Sequence, residues 1–117
     1  MSRVLFFRRG VPYPELQHEV RDADGRLIGI ADFYWPEYHH LGEFDGRVKY
    51  ERLVKPGESG GDAVFREKRR EDAMRGRQYG MTRWTWPDLM PSGDAAFIRR
   101  LTDDLERSRD LYGRRAA

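Results

Sequence analysis

The chain has 117 residues, of which 36% are charged and 13% aromatic, with no cysteine and a formal net charge of +2. That length suits one domain over residues 1–117 with a single core, and the aromatic content argues against disorder. The absence of cysteine excludes a disulfide framework, a thiolate zinc site and a thiol nucleophile, and makes the cytoplasm the default compartment.

From the N-terminus, "SRVLFFRRG" reads as the end of a short helix, with basic residues in its last turn and Gly10 as its stop. It carries no N-cap, which suggests the C-terminal part of a longer protein, and so short a helix would leave one side of a sheet open for a homodimer. Its apolar run is too short for a membrane span. "VPYP" cannot continue a helix, and "ELQHEVRDADGRLIGIADFYW" reads as strand, Asp-Gly turn, strand. "DFYWPEYHHLGEFDG" adds a hairpin and a third strand. Residues 62–79 are rich in helix formers behind Asp62, a plausible cap. "MTRWTW" at 81–86 alternates as a fourth strand ended by Pro87. A last amphipathic helix follows, with Phe97, Leu101, Leu105 and Leu111 on one stripe. The order (α)βββαβα predicts an α/β or α+β domain built on a mixed four-stranded sheet flanked by helices.

The third hairpin carries Asp32, Glu43 and Asp45, although acidic residues are poor strand formers. With the turn at Glu37-Tyr38, Tyr34 lies opposite Leu41, Asp32 opposite Glu43 and Ile30 opposite Asp45. Opposed residues share a face with Cβ atoms roughly 5 Å apart, so two carboxylates there call for a cation between them. Mg²⁺ or Mn²⁺, bound through hard oxygen donors, fits that demand. On the helix, Ala63, Glu67, Arg70 and Met74 form one stripe, with Lys68 one residue off it, and these bring cations toward the sheet. The simpler reading of the acids is an edge hairpin made unattractive to other strands. The simpler reading of the helix is a solvated face of i,i+4 pairs. Adjacent His39 and His40 point to opposite faces, which disfavours a zinc site for the pair, and His18 reads as structural. Trp84 and Trp86 share a face and read as core or helix-packing residues rather than base-stacking platforms. "GESGG" lacks the Lys-Ser/Thr of a phosphate loop.

A carboxylate on the second strand, an acid on the third, a helix with Lys and Arg, and a final strand resemble the PD-(D/E)XK restriction-endonuclease-like superfamily. "ADFYWPEYHHLGEFDGRVKY" and "REKRREDAMRGRQYGMTRWTW" look like its small branch related to very-short-patch-repair endonucleases. The resemblance runs from about Pro14 to Leu89. It implies metal-dependent hydrolysis of DNA, with Asp32, Glu43 and the Phe44 carbonyl as ligands of Mg²⁺ (or Mn²⁺). Asp45 falls at the branch's second acid, Lys49 at its His, Glu67 at its helix Asp, Arg70 at its helix Arg and Arg83 at its final-strand Arg. Gln17 falls at a polar first-strand position that faces the site. Asp32, Glu43, Asp45, Lys49, Glu67 and Lys68 would then be catalytic, and Gln17, Arg70 and Arg83 would contact DNA. Gln78 stands where the branch has Gly. A non-catalytic module of the same fold, serving DNA binding or regulation in a longer protein, is the alternative.

Overall fold

The computed structural model describes residues 1–46, 61, 68–70, 72–73 and 78–113. Four strands form one sheet in the order β1-β2-β3-β4: β1 Glu15–Arg21, β2 Leu27–Trp35, β3 His40–Phe44 and β4 Gly80–Trp84. The first two pairings are antiparallel and β3 with β4 is parallel, giving an α+β domain on a mixed sheet. A parallel pair needs a long crossover; it runs through residues 45–79, where 68–70 and 72–73 are helical. Helix α1 is Ser2–Arg8, α2 is Trp86–Leu89 and α3 is Asp94–Leu111. Among the described residues no helix is long and apolar enough to cross a membrane.

The β2–β3 register is the one read from the hairpin: Phe33 pairs with Gly42, Tyr34 with Leu41 and Trp35 with His40. A single 3-10 turn, Pro36–Tyr38, closes it, and His39 completes it in the left-handed region at φ 51°. The first hairpin also turns where Asp24-Gly25 implied. Asp22 Oδ1 accepts the backbone N–H of Asp24 and of Arg26, and Gly25 sits at φ 84°. An Asx side chain that satisfies turn amides in this way stabilises the turn locally.

Two apolar clusters lie on the sheet. The larger holds Phe33, Trp35 and Trp84 against Leu5 and Phe6 of α1 and Phe97, Leu101 and Leu105 of α3. Phe6 meets Phe33, Trp35 and Trp84 edge-on, with centroids 5.6, 5.7 and 5.6 Å away. Gly42 makes room for this layer, because a Cβ there would lie 2.7 Å from Trp84 and 2.8 Å from Trp35. The smaller cluster comprises Val20, Ala31, Tyr34 and Leu41, with Tyr79 and Met81 packed against it. Polar ties fix α1 in place: Trp84 Nε1 donates to Ser2 Oγ at 3.0 Å, and Arg9 pairs with the buried Asp94 of α3 at 2.8 Å.

Three expectations need correction. β4 ends at Trp84 rather than Trp86, because Thr85 and Asp88 form a capping box with Pro87 in the first turn, starting a helix. Trp84 is therefore core, whereas Trp86 is 44% exposed. On α3 the buried stripe runs Phe97, Leu101, Leu105, Ser108, and Leu111 in the last turn is exposed. The helix predicted to reach Tyr79 is over by Gln78, which turns at φ 69°. That conformation favours glycine, which is the residue the resemblance places there.

Candidate nucleic-acid site

The site is built where the β2–β3 ladder opens. The last pairing is Phe33 with Gly42, so by register Asp32 and Glu43 stand opposite each other at the next position. There the Asp32 carboxylate replaces a backbone carbonyl: its Oδ2 accepts the N–H of Phe44 at 3.0 Å. This bond holds the carboxylate against the β3 backbone, at the mouth of a cavity lined by Arg3, Phe33, Phe44 and Trp86.

Glu43 is engaged differently. It is 4% exposed and pairs in register with Arg83 of β4, whose Nη2 lies 3.3 Å from Oε1. Arg70 Nη1 approaches the same oxygen at 3.4 Å, while its Nη2 donates to the Ile30 carbonyl at 2.9 Å. Arg70 thus bridges β2 and β3 from the crossover. A buried carboxylate needs this kind of charge compensation, since isolated burial would cost several kcal/mol or neutralise it. The helix does bring a cation onto the sheet acid. Arg70 and Arg83, read from the sequence as DNA contacts, both meet Glu43 first.

Asp45 lies one residue past the end of β3, so strand alternation does not place its side chain. Its backbone N–H donates to the Trp84 carbonyl at 2.8 Å. Its buried Oδ1 has no hydrogen-bond partner among the described residues. Lys68 is exposed and pairs with Asp72 at 3.4 Å, the i,i+4 surface pair of the simpler reading. Gln17 sits opposite Asp32 in register between the pairs Leu16–Phe33 and His18–Ala31, but it is exposed and at φ 55°, which interrupts the ladder. Lys49 and Glu67 lie outside the described residues.

Two features escaped the sequence reading. Trp86 and Phe44 meet edge-on at 5.0 Å beside Asp32; the signal for this was Pro87, which marks Trp86 as the start of a helix. Further along the same face, under α3, His40 lies between Ser108 Oγ at 2.6 Å and Thr82 Oγ1 at 2.7 Å, and Thr82 donates to Asp104 at 2.7 Å. Its partner His39 stacks on Tyr79 at 5.2 Å, so the two histidines do point to opposite faces.

The oxygen donors at this end of β2 and β3 are Asp32, Glu43, Asp45 and the Phe44 carbonyl. Among the described residues no three acidic or histidine side chains are grouped closely enough to hold a metal ion by themselves. Comparison of the chain with family models, with curated proteins and with solved structures gives no match.

Proposed function

We propose that the chain is a metal-dependent endonuclease of the restriction-endonuclease-like kind, hydrolysing phosphodiester bonds in DNA. The observation that carries this reading is that Asp32 and Glu43 stand opposite each other by register where the ladder opens, with Asp45 following just past the end of β3. Where the ladder opens, half-buried Asp32 lines a cavity that a phosphate can approach, with buried Glu43 behind it in register.

The donor set suits a hard divalent cation, being all oxygen, and the buried Oδ1 of Asp45, without a hydrogen-bond partner among the described residues, is an acceptor that a cation would satisfy. Asp32, Glu43 and the Phe44 carbonyl would hold Mg²⁺ or Mn²⁺, which when bound supplies charge for the scissile phosphate and acidifies a water. The chain's own residues do the rest. Phe44 N–H fixes the Asp32 carboxylate so that its rotamer is set before substrate arrives. Arg70 and Arg83 pair with Glu43 and place two guanidinium groups next to it, where they would also attract the phosphate backbone.

The second reading is a nuclease-fold module that binds nucleic acid without cutting it. The observation in its favour is that Glu43 Oε1 already takes two arginines, an arrangement sufficient for a structural ion pair. Nicking of supercoiled plasmid in Mg²⁺ or Mn²⁺ separates the two, with Asp32→Asn and Glu43→Gln as controls of matched secondary structure. The endonuclease reading expects nicking that both variants lose. Nicking that survives in both, or is absent from the wild type while plasmid is still retarded on a gel, would replace it with the binding module.

A further inference from the structure

Five of the nine exposed large hydrophobic residues among those described lie together: Met1, Val4, Phe7, Tyr13 and Trp86. Phe7 is 79% exposed. Exposed apolar residues are ordinary when scattered, but a contiguous group marks a binding surface. Here the group lines two adjoining hollows. One, about 430 Å³, lies between Asp32, Phe44, Trp86 and Arg3. The other, about 360 Å³, follows the outer side of α1 past Val4, Phe7 and Tyr13, and shares Met1 and Arg3 with the first. The first falls in the size range of small-ligand sites.

The chemistry of these walls is selective. Trp86 and Phe44 present aromatic surface, and the aromatic rings of Phe7 and Tyr13 continue it. Arg3 stands between the hollows, with Nη2 donating to the Tyr13 hydroxyl at 3.2 Å. A guanidinium has five donors, so one such bond orients it without exhausting it. Flat apolar walls interleaved with a cation suit a planar ring joined to an anion, which is the composition of a nucleotide. The faces of a base in a duplex are covered by its neighbours, so only an unpaired base could lie against Trp86.

We propose that the cavity beside Asp32 binds an unpaired nucleobase, stacked on Trp86, of a single strand whose backbone passes Arg3 and continues along Phe7 and Tyr13. This rests on the nucleic-acid reading above and adds the substrate's state to it. The base and the Asp32 carboxylate share one cavity, so the phosphate next to the captured base is the one presented to Asp32. Single-stranded DNA, or a duplex with an unpaired base at the cut, is the substrate class.

The protein reports on this itself. Trp35 and Trp84 are 1% exposed, so quenching of tryptophan fluorescence by a stacked base comes from Trp86. The intact chain is titrated in EDTA with a short oligothymidylate and, separately, with a fully paired duplex of two strands. The expected result is saturable quenching by the single strand and little by the duplex. Trp86→Ala should weaken single-strand binding by roughly 5- to 150-fold, the range for loss of one base stack, and Trp86→Phe should restore most of it. Phe7→Ala, at a position too exposed to disturb the core, should weaken binding while leaving the melting curve unchanged. Equal quenching by duplex and single strand, or an unchanged affinity in Trp86→Ala, overturns the inference. Glu43-dependent nicking without single-strand quenching would overturn it and leave the endonuclease standing. Quenching without nicking would keep the cavity and remove the catalysis.

Discussion

Glu43 and Arg83 face one another across the parallel β3–β4 pair, 3.3 Å apart, with Arg70 at 3.4 Å from the same carboxylate oxygen. Removing one cation leaves the buried acid with half its compensation. Arg83→Met should therefore destabilise the fold by about 1–3 kcal/mol, the cost of an under-satisfied buried polar group. Glu43→Gln keeps the volume and removes the charge, leaving two partly exposed arginines that water can solvate. It should cost less stability than Arg83→Met while removing at least ~100-fold of any nuclease activity, the equivalent of several kcal/mol of transition-state stabilisation. Urea unfolding of both variants beside the wild type checks the order; an Arg83→Met protein of wild-type stability would show that Arg70 suffices alone.

His40 and Ser108 make a second prediction, on the opposite side of the sheet. Thr82 spends its hydroxyl proton on Asp104, so it can only accept from His40 Nε2. In the neutral ring Nδ1 is then the acceptor, and Ser108 donates to it at 2.6 Å. Nitrogen NMR should find His40 as the Nε2–H tautomer. Ser108→Ala should cost about 1–3 kcal/mol by leaving Nδ1 without its donor. Gly80→Ala should cost more, because the added Cβ would collide with Ser108 Oγ and lie 2.6 Å from His40 Nδ1. A Gly80→Ala chain that melts with the wild type would mean that α3 can back away from the sheet freely.

Much of the hairpin was legible because its determinants are local. Pro36 and the alternation of Tyr34, Leu41 and Trp35 fix turn and register together, and a slip by one residue would have turned every side chain over. Register says which residues stand opposite, however, not where a side chain finds its partner. Asp32 and Glu43 were expected to share a face and a cation, but Asp32 turns to the Phe44 amide and Glu43 to two arginines. Both depend on contacts distant in sequence. A backbone deviation was also silent: Gln17 adopts positive φ without being glycine, so nothing in its identity announces it. The α3 stripe was readable at Phe97, Leu101 and Leu105, where burial follows the period. It failed at its end, where Ser108 is buried for a hydrogen bond and Leu111 is exposed.

Gly42 was a residue without an evident task until the indoles of Trp35 and Trp84 were placed over it. Gly42→Ala inserts a methyl group 2.7 Å from Trp84 and 2.8 Å from Trp35, inside the layer that Phe6 and Phe33 complete. Overpacking of this kind costs typically about 1–3 kcal/mol. Because the displaced rings are buried tryptophans, near-ultraviolet circular dichroism should change along with the melting temperature. An unaltered aromatic signal would place the accommodation in the backbone instead.

The stack of His18 on Tyr34, with ring centroids 3.9 Å apart, couples the sheet's edge strand to pH in two windows. Burial is the main influence on His18 and lowers its pKa below 6.5; the His39 charge acts in the same direction, and Glu15 and Glu19 oppose it. The unfolded chain therefore takes up a proton here before the folded one does, so this contribution is fully present above pH 6.5 and is lost as pH falls below it. Tyr34 moves the other way. Burial first, then Tyr79 and Glu15, push it up to about 12 from 10.0, so its contribution is fully present below pH 10 and lost as pH rises toward 12. In a titration followed at the phenolate absorbance a step should appear toward pH 12, and Tyr34→Phe should delete it. His18→Gln should flatten the loss of stability on the acid side while leaving the alkaline limb unchanged. If Tyr34→Phe leaves the late step in place, another phenol carries it and the stack is more open to water than its geometry implies.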